Sequence, residues 1–240
     1  MSWHLRAGRD DMAAVAECGL SPMSLAEQQH QQQHASPVGG ALKRFVDVTV
    51  ALLALILFLP LFAFFAALIK WSDGGPVFYV HRRIGYAARP FGCLKFRTMV
   101  PNGDEILRDY LHSDSTAARE WAETRKLKRD PRVTELGILL RKLSIDELPQ
   151  LINVIRGDMS LVGPRPIVPE EARMYGEELQ AYLRSRPGLT GAWQVSGRSD
   201  QSYAKRVWMD RQYVEHWSLW RDVVIIVKTV PVLLTTRGSY

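Results

Sequence analysis

The sequence predicts a helix-rich, mixed α/β protein attached to a membrane, and three observations carry that expectation. One run, Val48 to Ile69, holds no charged residue and is apolar throughout apart from Thr49; it is about as long as a helix that crosses a bilayer. Helical periodicity is clearest at Leu148, Leu151, Ile152 and Ile155, where apolar residues recur every three or four positions. Short runs of alternating basic and apolar residues, with glycine-dense turns between longer elements, read as short strands and loops. At 240 residues the chain can hold one large domain or two small ones.

Composition narrows the function. A net charge of +6 suits an anionic partner, which leaves a lipid surface, a nucleic acid or a phosphorylated substrate. The two cysteines, Cys18 and Cys93, lie in unrelated contexts without metal spacing. A disulfide framework or a cysteine-ligated metal is therefore not expected, and a reduced, cytoplasm-facing protein is.

Residues 1 to 40 carry Gln28 to His34, then Ser36-Pro37 and Gly39-Gly40, a polar tract of low complexity that buries little surface and reads as a disordered tail. His30 and His34 stand four apart, but no further ligand accompanies them. Residues 41 to 72 form the membrane segment. It is too long, and begins too far along the chain, to be a cleaved signal peptide. Lys43 and Arg44 precede it and Lys70, Arg82 and Arg83 follow it, so neither end is marked for translocation. Pro60 sits near its middle, where the ring removes a hydrogen bond and kinks a helix; a spanning helix and a hairpin that returns to the same face both remain open.

Residues 73 to 240 make the third region, expected on the cytoplasmic side. Asp73-Gly-Gly-Pro76 is a turn before a β-like run. His81-Arg82-Arg83, Arg89 and Lys95-Phe-Arg97-Thr-Met99 alternate cations with apolar residues, as a phosphate-binding surface or a half-buried strand does. Residues 103 to 128 are charged and helix-prone, and residues 130 to 140 lead into a short apolar helix.

Arg141-Lys-Leu-Ser-Ile-Asp-Glu-Leu-Pro-Gln150 sets adjacent carboxylates, Asp146 and Glu147, between a basic pair and an apolar helix. A capping role is the plainer explanation. Ser144 with Glu147 fits a capping box, but Asp146 as N-cap keeps Pro149 inside the first turn, where its missing donor is harmless. Gly157 is placed to stop that helix.

Arg165 is held between Pro164 and Pro166 in a restricted backbone that presents its guanidinium rigidly. Residues 186 to 198 are rich in glycine and end in Arg198. Near the C-terminus Trp208, Tyr213, Trp217 and Trp220 precede an apolar run, Val223 to Val227, too short to span a bilayer. An amphipathic helix lying at the interface and a buried core helix both fit it.

Taken together and in order, the apolar segment with its central Pro, then KFRTM, DPRVT, LRKLSIDELPQL, GDMSLVGPRP and RPGLTGAWQVSGR resemble the bacterial sugar transferases, the monotopic phosphoglycosyl transferases that start glycan assembly on polyprenyl phosphate. The likeness runs from about residue 41 to the C-terminus. DGGPVFY, RRIG, CLKFRTM and the terminal RGSY are most similar to exopolysaccharide initiators of succinoglycan type, which transfer galactose 1-phosphate.

The resemblance implies a monotopic protein with a re-entrant helix-break-helix at Pro60 and amphipathic interfacial helices, in the bacterial inner membrane. It implies Asp146 as the nucleophile on a UDP-hexose and Glu147, with Asp146, as ligands of Mg²⁺. Lys95, Arg141, Arg198 and, as a weaker candidate, Arg97 would bind phosphates, and Arg165 would face the uridine nucleotide. The expected partners are UDP-hexose, undecaprenyl phosphate, membrane lipid and downstream glycosyltransferases; nucleic acid is not among them. Galactose is the first choice of hexose and glucose the second. Leu59 departs from the family, where a Ser often precedes the Pro, so no hydroxyl is at hand there for a freed carbonyl. The physical chemistry agrees: a carboxylate nucleophile divides one hard transfer into two, nearby cations offset diphosphate charge, and a helix start beneath the carboxylates adds positive partial charge. The rival, a non-catalytic membrane-anchored scaffold holding anionic lipid or nucleic acid, needs cations but has no use for a fixed Asp-Glu pair.

Overall fold

A computed structural model describes residues 36–124, 127, 129–197 and 202–234; most of the expected tail, with His30 and His34, and Arg198 lie outside them. The apolar run forms α1, Gly40–Asp73, which starts after Gly39 and ends at Gly74, both left-handed. Its 34 residues make about 51 Å of helix at 1.5 Å per residue. No break separates two helices at Pro60, which lies inside a single element. Proline costs one backbone hydrogen bond, and packing of both halves of α1 onto the rest of the protein holds the helix through it.

That packing is arranged in two stripes. Near the N-terminal end Lys43, Asp47 and Ala51 are buried. Ser160 Oγ donates to Asp47 Oδ2 at 2.7 Å and the Leu161 N–H to Oδ1 at 3.1 Å. Arg44 donates to the carbonyls of Val154 and Ile155. Lys43 Nζ reaches Asp222 Oδ2 at 2.6 Å. Near the other end Phe62, Phe65 and Ile69 join Phe96 and Leu140 in one apolar cluster, with the Phe62 and Phe96 rings 5.2 Å apart. Between the stripes Ile56 to Pro60 are exposed at five consecutive positions, an apolar surface on every side of the helix.

Two short strands follow, β1 (Phe78–Ile84) and β2 (Pro90–Phe96), paired antiparallel from Phe78↔Phe96 to Ile84↔Pro90. The strand expected at Lys95 is thus the end of a hairpin. The charged stretch folds into α2 (Gly103–Ser113) and α3 (Ser115–Thr124). In α4 (Glu135–Lys142) the Thr134 side chain caps the start by accepting from the Gly137 N–H. A Cβ on Gly137 would stand 2.1 Å from the Thr98 carbonyl oxygen, so only glycine lets α4 approach the end of the hairpin this closely.

After α4 come a single 3₁₀ turn, Ile145–Glu147, and the short α5, Gln150–Arg156. The expected Asp146 N-cap is not formed. Ser144 takes a left-handed backbone (φ 55°) and neither Ser144 nor Asp146 caps through its side chain; α5 begins at Gln150, four residues after Asp146. Gly157 does end α5, in the left-handed conformation that a C-terminal glycine adopts without strain.

The strands β3 (Ser160–Val162) and β4 (Gly188–Thr190) pair parallel. Between them lie α6 (Pro169–Tyr175) and α7 (Leu179–Leu183), and after them α8 (Tyr203–Glu215) and α9 (Leu219–Leu234). Val154, Met159, Val162, Tyr213, Val214 and Ile225 form the core beneath the N-terminal stripe of α1. On α9 Asp222 and Ile225 face inward while Trp220, Val223, Val227 and Val230 are exposed. This is the apolar outer face expected of an interfacial helix. Trp208 is also exposed. Tyr213 and Trp217, grouped with them on sequence, instead bond Asp222 from within, the Tyr213 hydroxyl at 2.7 Å and Trp217 Nε1 at 3.1 Å.

Candidate active site

The 3₁₀ turn after α4 presents Asp146 and Glu147 side by side against β2. Asp146 is buried, with 8% of its surface exposed, whereas Glu147 keeps 38% of its side chain open. Lys95, at the end of β2, lies between them, its Nζ 2.7 Å from Glu147 Oε1 and 3.7 Å from Asp146 Oδ2. Arg141 closes the other side from the last turn of α4, held by its Nε donating to Thr98 Oγ1 at 2.9 Å.

Electrostatics divide the two carboxylates. Burial pushes the Asp146 carboxyl up to about 6; Lys95 opposes this, Glu147 adds to it and Arg141 opposes it. A neighbouring carboxylate disfavours a second negative charge, and cations favour it. Burial also works against the Lys95 ammonium, but Glu147 and then Asp146 outweigh it and hold the amine protonated above its ordinary range. The result is a buried carboxylate, still ionised at neutral pH, between two cations and beside a solvent-facing carboxylate.

Four of the residues expected at the site, Lys95, Arg141, Asp146 and Glu147, are thus brought together. Arg97 is not with them. It is buried and ion-paired with Asp73 at the end of α1. Arg165, after β3, stacks on Trp193, its Cζ 5.3 Å from the ring centroid. Sequence reasoning missed Thr98, which orients Arg141, and three exposed apolar residues that precede the dyad, Ile138 and Leu139 in α4 and Leu143 just after it. Their exposure depends on which face α4 buries, and local periodicity over eight residues does not settle that.

The donor set suits a hard divalent cation. Mg²⁺ is commonly bound by one or two carboxylates, with waters and substrate phosphates completing the shell. Adjacent Asp146 and Glu147, the latter open to solvent, fit that pattern, while no group of three or more His, Cys, Asp or Glu that could enclose a metal exists among the described residues.

A family model described as bacterial sugar transferase matches residues 38–236. The exopolysaccharide production protein ExoY of Rhizobium meliloti (strain 1021) is 58% identical over 229 residues, covering 95% of this chain and 100% of that protein. An undecaprenyl-phosphate galactose phosphotransferase of Salmonella typhimurium is 47% identical over 83% of this chain and 42% of that longer protein. A UDP-glucose:undecaprenyl-phosphate glucose-1-phosphate transferase of Caulobacter vibrioides is 41% identical over 82% of this chain and 72% of its own length.

Proposed function

Because the chain belongs to the bacterial sugar transferase family, we propose that it transfers hexose 1-phosphate, galactose 1-phosphate first, from a UDP-hexose to undecaprenyl phosphate in exopolysaccharide synthesis. The observation that carries this reading is the buried Asp146 flanked by Lys95, Arg141 and the open Glu147.

In the first step an Asp146 carboxylate oxygen bonds to the β-phosphorus of the UDP-hexose. The bond from that phosphorus to the bridging oxygen breaks, and UMP leaves with its electron pair. In the second, a phosphate oxygen of undecaprenyl phosphate attacks the same phosphorus, frees Asp146 and forms undecaprenyl diphosphate hexose. Each step is a displacement at one phosphorus, so two moderate barriers replace one high barrier. Lys95 and Arg141 offset the charge of the diphosphate as it reacts. Glu147, with Asp146, would hold Mg²⁺, which supplies further neutralisation of phosphate oxygens when bound. Arg198 would bind phosphate and Arg165 would face the nucleotide.

The lipid acceptor requires the dyad to lie at the bilayer surface. Support comes from the apolar faces on α4, on α9 and around Ile56 to Pro60. Both stripes of α1 pack on the same folded domain, through Asp47 with Ser160 and Phe62 with Phe96. That supports a helix entering and leaving the inner membrane on its cytoplasmic face. Tags at residue 1 and residue 240 are then both reachable by a membrane-impermeant label only after the inner membrane is opened. Labelling of either tag in intact spheroplasts would establish a spanning helix instead.

The activity is tested by UMP release from nanodisc-embedded protein given Mg²⁺, undecaprenyl phosphate and, separately, UDP-galactose, UDP-glucose and UDP-N-acetylhexosamines. Release is expected with UDP-galactose. Release with UDP-glucose alone would assign the second hexose, whose transferase in Caulobacter vibrioides is 41% identical, and release with none would refute the proposal.

A further inference from the structure

Two half-buried arginines, Arg44 and Arg186, converge on the end of α5 from distant parts of the chain. Arg44, early in α1, donates from Nη1 to the Val154 carbonyl at 2.5 Å and from Nη2 to the Ile155 carbonyl at 2.8 Å. A Cβ on Gly157 would stand 3.4 Å from the same Nη2. Arg186, just ahead of β4, donates from Nε to the Gly157 carbonyl at 2.9 Å. Two exposed arginines adjoin them in the chain. Arg156 ends α5, and the Arg184 carbonyl accepts from the Val38 N–H where the chain enters α1. Four arginines are thus carried to the N-terminal end of the membrane helix.

Their charge is not balanced from within. A helix C-terminus carries about half a negative elementary charge, too little for two guanidiniums. The nearby Asp47 carboxylate is already taken by Lys43, Ser160 and the Leu161 N–H, and none of the four arginines forms an ion pair among the described residues. Burial, and after it Arg44, push the Arg186 guanidinium below its ordinary range. Arginine has five N–H groups. The carbonyls use two on Arg44 and one on Arg186, and the rest meet no acceptor among the described residues.

The surroundings specify the missing anion. Leu42 and Phe45, on either side of Arg44 in α1, are exposed. So are Trp220 and Val223 of α9, which flank the Asp222 that bonds Lys43. An apolar rim beside half-buried cations matches a bilayer surface, with acyl chains on the rim and a headgroup phosphate at the guanidiniums. A soluble anion has no use for the rim.

We infer that Arg44 and Arg186 bind the phosphate of an anionic phospholipid of the surrounding bilayer, with Arg156 and Arg184 adding to its attraction. Planar guanidiniums engage phosphate oxygens in pairs. The site is separate from the dyad. Asp146 precedes α5 and Gly157 follows it, so a seven-residue helix, about 10 Å long, lies between them. A lipid held there fixes the start of α1 at headgroup depth.

The test is native mass spectrometry of the full-length protein in non-ionic detergent, titrated with phosphatidylglycerol or phosphatidylcholine. Wild type and Arg186→Gln are compared with Arg173→Gln, which removes an exposed cation of α6. Wild type is expected to bind phosphatidylglycerol about tenfold more tightly than phosphatidylcholine. Arg186→Gln should lose about fivefold of that preference, as one cation near an anionic surface contributes, and Arg173→Gln should keep it. Equal affinity of wild type for the two lipids overturns the inference, as does a preference that Arg186→Gln retains or that Arg173→Gln loses equally. Displacement of the lipid by equimolar undecaprenyl phosphate would assign the site to that lipid instead, and displacement by millimolar inorganic phosphate would assign it to a free anion. Should circular dichroism show that Arg186→Gln fails to fold, the double variant Arg156→Gln/Arg184→Gln decides, by losing several-fold of the preference or keeping it. Those two side chains make no hydrogen bond among the described residues, so their loss leaves the fold intact.

Discussion

Asp146→Asn is expected to abolish UMP release, lowering it by about 1,000-fold or more, as loss of a covalent nucleophile does. The amide has the shape of the carboxylate but lacks the charge and nucleophilicity needed to bond to phosphorus. It can still occupy the buried position beside Lys95. Membrane association, proposed to rest on α1 and α9, should be unaffected in flotation experiments. Full transfer by the variant would remove Asp146 from the mechanism, whereas loss of flotation would show that the substitution disturbs more than the site.

Lys43→Met is expected to destabilise the protein by about 3–5 kcal/mol, the cost of leaving a buried charge without its partner. Lys43 Nζ lies 2.6 Å from Asp222 and 3.9 Å from Asp47, and all three residues are buried. Without the ammonium two carboxylates remain in one enclosed network. Tyr213, Trp217 and Ser160 bond to them, but hydroxyls and an indole carry no compensating charge. The effect should be seen as a lower thermal midpoint in nanodiscs and faster proteolysis between α8 and α9. A midpoint equal to that of wild type would show that the pair contributes little.

What could be read along the chain was mostly local. The uncharged run became α1, Gly157 ends a helix, and the Lys95 stretch forms a strand end. The acidic pair was found, but its geometry was not. A serine in the left-handed region at Ser144 leaves no compositional mark as glycine does, so the turn was mistaken for a helix cap. Long-range pairing was equally hidden. Nothing near Arg97 announces Asp73, and Lys43 meets Asp222 across 179 residues. Arg206 reads as an ordinary helical cation until burial and the Trp193 stack distinguish it.

The glycine-dense segment shows the same division. Close approach was legible in Gly188, where a Cβ would stand 2.1 Å from the Gly163 nitrogen, and the parallel β3–β4 pair requires that approach. Which side chains the loop would then offer to a ligand depends on α6 and α8 folding over it, a contact between elements with no periodicity in common.

Intact-mass spectrometry tests the proposed covalent phosphosugar-aspartate most directly. Protein is incubated with Mg²⁺ and UDP-galactose without undecaprenyl phosphate, then quenched and weighed, and the adduct is mapped by peptide sequencing. A mass increase of one hexose phosphate on Asp146 is expected, absent from Asp146→Asn and discharged when undecaprenyl phosphate is added. Transfer by an enzyme that never carries that mass, or a phosphosugar mapped to another residue, would contradict it.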